Sequence, residues 1–398
     1  MMYRRFGRTG LKMPVFSCGG MRYQQKWQDI PMSEVTQACQ ANVEAIIKRA
    51  MEVGIHHIET ARGYGSSERQ LGAILPKLPR ESMIVQTKVG PEEDAGKFVA
   101  NVEESLTRLG LEYVDLLAIH GINSRQTLEW SVRKGGCLEA ARKLQGRGLA
   151  RHIGFSTHAA TDVILDAIRA GGGDGRGFDY VNLHWFYIFQ RNWSAVEEAA
   201  KRDMGVFIIS PSDKGGMLYQ PSEKLVRLCE PLHPLMLNDL FCLMRPEVHT
   251  LSIGASRPGD FDRHVEALRY WERAGEWVPM IVERLERAMR DAVGEELARP
   301  FGMGLPEWED VPGGINVATI LWLRNLALAY DMHEYGKMRY NLLGNGGYWF
   351  PGQNAAKVRE VDLRAVARAS GLEGRLEGLL EEAHGMLWKE PVKRLSES

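Results

Sequence analysis

The stretch Ile58-Glu59-Thr60-Ala61-Arg62-Gly63-Tyr64-Gly65-Ser66-Ser67-Glu68 decides the fold. It ends a β-type run on the carboxylate Glu59 and then turns through Tyr64, a phenol placed in a loop where it can act as an acid. Working outward, Lys88 closes the next β-type run and His120 closes the one after. Tyr64 to Lys88 is 24 residues (88 − 64) and Lys88 to His120 is 32 (120 − 88). Both intervals are close to the roughly 30 residues of one strand-helix unit. That spacing predicts a parallel barrel carrying Glu59, Tyr64, Lys88 and His120 on one rim. The C-terminal strand ends are where such barrels hold their chemistry, because loops vary there without disturbing the packed interior.

The rest of the chain agrees with a barrel. Short β-type runs at 14–20, 54–59, 82–88, 113–120, 151–156, 180–183, 205–210 and 248–253 alternate with longer amphipathic ones, and eight such runs predict a (β/α)8 TIM barrel. The segment 39–53 is expected to be a helix with Val43, Ile46, Ile47, Ala50 and Met51 on its apolar face and Gly54 as its stop. The glycine-rich run 171–177 reads as a turn before the sixth strand. Beyond about residue 275 the strand signal disappears and helical patterns take over at 280–293, 315–329 and 360–387, with a loop at 300–314. The expected division is therefore a barrel over 1–275 and an all-helical unit over 276–398, since 398 residues exceed one hydrophobic core.

With 50 basic and 51 acidic side chains, the net charge of −1 advertises neither nucleic acid nor a membrane surface, and neither is expected as a partner. No run approaches the roughly 20 apolar residues of a spanning helix and the N-terminal residues carry no apolar run preceded by positive charge, so a cytoplasmic location is expected. The five cysteines, Cys18, Cys39, Cys137, Cys229 and Cys242, are scattered and read as reduced thiols. His56 and His57 are neighbours in a strand, point to opposite faces and cannot chelate together, so no metal is expected.

Glu59, Tyr64, Lys88 and His120 resemble the catalytic tetrad of the aldo-keto reductases: a carboxylate, a tyrosine five positions on, then a lysine and a histidine on the next two strands. The segment 3–12 is similar to that family's opening β-hairpin, and 151–156 to its fifth strand. The resemblance covers roughly residues 1–270. It implies reduction of a carbonyl with a nicotinamide cofactor, NADPH by family habit with NADH left open, on a small aldehyde or ketone substrate. Tyr64 would be the proton donor. A free phenol with a pKa of about 10 is a poor acid near neutrality, and the Lys88 ammonium would lower it. Glu59 would pair with Lys88, and His120 would orient the carbonyl.

The same resemblance assigns Ser156, Thr157 and Asn182 to the nicotinamide carboxamide. It assigns Ser210, Ser212 and Lys214 to the pyrophosphate, and Gly254, Ser256 and Arg257 to the adenosine phosphate. Four residues depart from the family pattern. Glu59 stands where aspartate is usual, Ile209 where a tyrosine often stacks on the nicotinamide, and Arg263-His264 where a Glu-Asn pair often closes on the adenine. The aromatic run His184-Trp185-Phe186-Tyr187 suits either a substrate wall or packing beneath a loop.

The C-terminal segments 315–332 and 340–351 resemble the helical ferredoxin-like extension on one branch of the family, which binds iron-sulfur clusters through closely spaced cysteines. No cysteine follows Cys242, so no cluster is expected there, and the unit would serve as a structural remnant, a lid or a surface for a protein partner. Two functional readings stay open: a reductase, or a nicotinamide-binding redox sensor or scaffold without turnover.

Overall fold

The computed structural model describes residues 1–171, 175–342 and 352–390. Part of the glycine-rich turn and most of the 340–351 motif lie outside the described residues. The chain forms two compact units, one of Met1–Gly215 with Leu235–Ala274, the other of Gly216–Pro234 with Gly275–Ser398.

The first unit is a closed barrel of parallel strands. A hairpin of β1 (Tyr3–Arg5) and β2 (Lys12–Pro14) precedes β3 (Phe16–Gly19), β4 (His57–Glu59), β5 (Ile84–Val89), β6 (Val114–His120), β7 (Ala150–Ser156), β8 (Tyr180–Leu183), β9 (Gly205–Ile208) and β10 (Thr250–Gly254). β10 pairs with β3 to shut the barrel. Each strand matches an expected run, with ends displaced by a few residues; the first is split because Pro14 belongs to the hairpin.

The hairpin caps the barrel's N-terminal end with apolar side chains. Phe6 and Met13 pack with Ile84, Leu116, Ala118, Tyr180 and Phe207 in one buried cluster. Above that layer the interior is polar. Ser17 Oγ lies 2.6 Å from His57 Nδ1 and 2.8 Å from Thr250 Oγ1, joining β3 to β4 and to the last strand, β10. Burial, with the Lys88 ammonium and His56 nearby, pushes the His57 pKa down to about 3, so this imidazole is neutral.

The first barrel helix, Gln37–Glu52, starts two residues before the expected 39 because Thr36 caps it, accepting from Cys39 N at 3.2 Å. Its buried stripe is Val43, Ile46, Ile47 and Ala50, the face that periodicity marked.

In the second unit, the helix Val317–Tyr330 is buried on nearly every side. Its polar groups are answered inside the unit. Asn325 Nδ2 donates to Leu297 O at 2.6 Å, Arg324 Nε to Glu382 at 2.7 Å, and Tyr330 Oη to Leu285 O at 3.0 Å. The expected single helix over 360–387 is two helices, Arg364–Ala369 and Leu376–Leu387. The break falls where Gly371 and Gly374 take φ of 69° and 71°, left-handed values that a helix does not accommodate. Among the described residues no helix is long and apolar enough to cross a membrane.

Candidate active site

Glu59 is the last residue of β4, Lys88 the penultimate residue of β5 and His120 the last residue of β6, so three adjacent parallel strands deliver them to one rim. Tyr64 arrives from a turn closed by Tyr64 N donating to Ala61 O at 3.0 Å and tied to β5 by Arg62 N donating to Lys88 O at 2.9 Å.

Gly65 is needed for this turn. Its φ is +54°, and a Cβ there would stand 1.8 Å from Lys26 O. The close approach brings in the loop after β3, whose Trp27 ring meets Tyr64 edge-on at 6.5 Å.

Lys88 is 1% exposed and Glu59 3%. Lys88 Nζ donates to Glu59 Oε2, to Thr60 O at 2.8 Å and to Tyr64 Oη at 3.4 Å, the last at the outer limit of a hydrogen bond. Burial pulls the Lys88 pKa down, but Glu59 and Tyr64 together outweigh it and hold the pKa above its ordinary value, so the ammonium stays charged. The other carboxylate oxygen, Glu59 Oε1, accepts from Ser252 Oγ at 2.9 Å.

The His120 ring meets Tyr64 edge-on at 5.6 Å. Loss of hydration, with the Lys88 and Lys214 ammonium groups nearby, lowers the His120 pKa to about 3. A neutral imidazole at the rim can donate an N–H without changing its charge.

The residues assigned to the carboxamide continue this layer. His120 is in register with Ser156, and Ser156 with Asn182, across β6, β7 and β8. Ser156 Oγ accepts from Gly121 N at 3.1 Å. Thr157 Oγ1 is already used by the fold, donating to Ile122 O at 2.7 Å and accepting from Ala159 N at 3.0 Å. Asn182 is different: it is fully buried, and neither Oδ1 nor Nδ2 has a hydrogen-bond partner among the described residues.

The loop after β9 carries Ser210, with φ of +54°, then Ser212 and Lys214. Lys214 is 6% exposed and close enough to His120 to influence its charge. Ser212 Oγ lies 3.5 Å from His264 Nε2, and His264 Nδ1 lies 2.6 Å from Asp239 Oδ2. His264 is thus turned into the interior, at 0% exposure. Asn238 Nδ2 donates to Pro211 O at 3.1 Å, so the helix Pro234–Leu243 holds this loop at two points.

After β10, Gly254 O accepts from Arg22 at 2.8 Å, and Asp260 engages both remaining residues. Ser256 N and Oγ donate to Asp260 Oδ2 at 2.8 and 3.0 Å, and Arg257 Nε donates to Asp260 Oδ1 at 3.0 Å while its guanidinium side chain stays 79% exposed.

In the aromatic run, Trp185 is packing: it is 2% exposed and stacks on Phe241 at 5.1 Å. His184 pairs instead with His158, ring centroids 4.6 Å apart, at the ends of β8 and β7. Ser252, Trp27 and Arg22 border the site without having been marked in the sequence, where no motif distinguishes them. Among the described residues no group of three or more His, Cys, Asp or Glu side chains converges as a metal site would require.

Residues 16–210, from the start of β3 to the loop after β9, match the family model described as the aldo/keto reductase family. An L-glyceraldehyde 3-phosphate reductase of Escherichia coli (strain K12) is 27% identical over 175 residues, 40% of this chain and 46% of the relative. An L-galactose dehydrogenase of Arabidopsis thaliana is 32% identical over 184 residues, 43% of this chain and 54% of the relative. The chain therefore spans about half the length of these curated relatives. An aldo-keto reductase from Bacillus halodurans, in its holo form, superposes with a TM-score of 0.57 at 19% identity over 71% of this chain and 96% of that one, a likeness of fold. The matched barrel segment, residues 16–210, belongs to the aldo/keto reductase family.

Proposed function

We propose that this protein reduces the carbonyl of an aldehyde or ketone to an alcohol, using a nicotinamide cofactor, with Tyr64 as the proton donor. The observation that carries the cofactor reading is Asn182. A buried amide with its donor and its acceptor both unanswered costs about 1–3 kcal/mol for each group. A primary carboxamide offers one acceptor and one donor in return, so the residues present fit the nicotinamide. NADPH is the family expectation, with the Lys214 ammonium and the loop after β9 suited to the pyrophosphate and Arg257 to the adenosine phosphate.

When bound, the reduced nicotinamide supplies a hydride for the carbonyl carbon. Everything else falls to the chain. Tyr64 Oη gives its proton to the carbonyl oxygen, and the Lys88 ammonium 3.4 Å away stabilises the negative charge left on the phenol. Glu59 keeps Lys88 in place, and the neutral His120 donates a hydrogen bond to the same carbonyl oxygen. The relatives' names, a phosphorylated-triose reductase and a sugar dehydrogenase, favour a hydroxylated aldehyde as substrate.

The test is a fluorescence titration with NADPH and, separately, NADH, on wild type and Asn182→Ala, followed by a panel of simple and hydroxylated carbonyls. Saturable binding, weakened about tenfold in N182A, with turnover of at least one substrate is expected. Binding of neither cofactor would refute the reading; binding without any turnover would leave the redox-sensor alternative in its place.

A further inference from the structure

The carboxylate that holds Lys88 is a glutamate, one rotatable bond longer than an aspartate, and that bond must be frozen for the ammonium to be held in one place. The tolerance is small, because Lys88 Nζ stands 3.4 Å from Tyr64 Oη, and a displacement of a few tenths of an ångström breaks the contact. An ion pair alone does not define the carboxylate's orientation, since either oxygen can face the lysine. Something must hold the second oxygen.

We infer that Ser252 is a positioning residue for Tyr64 chemistry, the far end of a Lys88–Glu59–Ser252 chain that lets a glutamate serve as the lysine's anchor. The inference rests on the reading of Tyr64 as proton donor. Ser252 lies on β10, and its hydroxyl donates to Glu59 Oε1 at 2.9 Å, leaving Oε2 for Lys88. Ser252 is 6% exposed and Glu59 3%, so bulk water does not substitute for this bond.

The brace passes over β3, the strand between β10 and β4. It can do so because the residue in the way is Gly19, which is in register with both Glu59 and Gly254. A Cβ at Gly19 would lie 2.7 Å from Ser252 Oγ and 3.0 Å from Glu59 Oε1. Gly19, Glu59 and Ser252 thus form one mutually dependent solution. The carboxylate oxygen Oε1 of the glutamate sits beside space that glycine leaves open, and the serine opposite ties down the carboxylate that the extra bond would otherwise free.

The experiment compares S252A, S252T, E59D and the double variant E59D/S252A in the full-length protein, by crystal structures of each and by steady-state kinetics. In S252A the Glu59 carboxylate is expected to turn and the Nζ–Oη separation to exceed 3.5 Å. kcat falls about tenfold, while the carbonyl KM and the cofactor Kd are unchanged, as losing one hydrogen bond to a charged group predicts. S252T, which keeps the hydroxyl, restores both geometry and kcat. In the E59D background the same serine change alters kcat less than about twofold, because the shorter side chain no longer reaches β10.

S252A crystals with the Glu59–Lys88–Tyr64 geometry intact would overturn the inference. So would an undiminished kcat in S252A, or an equal loss in the E59D background. If the wild type turns over no carbonyl at all, the functional reading fails by itself, and the crystal arm alone decides whether Ser252 positions Glu59 and Lys88.

Discussion

Replacing Lys88 with methionine removes the ammonium while keeping an unbranched side chain of similar length, which isolates charge from packing. Both members of the pair are essentially out of water, at 1% and 3% exposure. K88M therefore leaves Glu59 as a buried carboxylate with Ser252 as its one remaining side-chain donor among the described residues, and Thr60 O without the lysine's hydrogen bond. Breaking a buried pair from one side costs about 3–5 kcal/mol. For a unit the size of Met1–Gly215 with Leu235–Ala274, about 2 °C of melting temperature is lost per kcal/mol. The expected drop is therefore roughly 6–10 °C, read by thermal unfolding followed through tryptophan fluorescence. The companion variant E59Q/K88M removes both charges and keeps an amide oxygen for Ser252 and an amide donor for Thr60 O. It is expected to recover more than half of the loss, a coupling of about 2 kcal/mol or more. A double variant as unstable as K88M would refute the reasoning, because the loss would then come from packing.

Three further expectations follow from the same geometry. Tyr64→Phe lowers kcat by about 10²- to 10⁴-fold while cofactor binding stays within about twofold of wild type, since the hydroxyl serves the proton and not the cofactor; retained turnover would remove Tyr64 from the mechanism. Gly65→Ala, with its Cβ 1.8 Å from Lys26 O at φ +54°, destabilises by about 2–5 kcal/mol and displaces Trp27 from Tyr64, so melting temperature and kcat fall together; an unchanged melting temperature would contradict the turn geometry. Finally, His57 and His120 each titrate near 3 in the folded chain and near 6.5 when unfolded. Because the unfolded chain takes up those protons first, their contribution is fully present above about pH 6.5 and is lost as pH falls toward 3, by at most about 1.4 kcal/mol per pH unit for each histidine. His57→Gln should flatten the acid-side stability profile by that one increment, measured by urea unfolding between pH 7 and 4.5; an unaltered slope would mean that His57 is not held neutral.

Much of this was legible in order along the chain, because the information was local. Apolar runs bounded by Gly and Pro marked the eight barrel strands, and the intervals from Tyr64 to Lys88 and His120 matched a strand-helix repeat, which brings strand ends to one rim whatever the loops do. Single residues were less informative where their partners are remote. His264, in sequence a departure from the family's Glu-Asn pair, is committed to Asp239, 25 residues away, and Trp185, which in sequence suited a substrate wall and packing equally, packs on Phe241. The helix expected at 360–387 broke because periodicity continues across Gly371 while backbone conformation does not.

Local propensity and a repeat length in the sequence marked the barrel and the strand ends that carry Glu59, Lys88 and His120 to one rim with Tyr64, while the hairpin was expected from the family resemblance. Only the tertiary structure decided how the glutamate is used. Ser252 and Glu59 are 193 residues apart and meet because β10 closes on β3, a contact no periodicity encodes. The charge of Lys88 and the neutrality of His120 are likewise decided only in the folded barrel, because burial and the distance between ammonium, carboxylate and phenol are properties of the assembled rim.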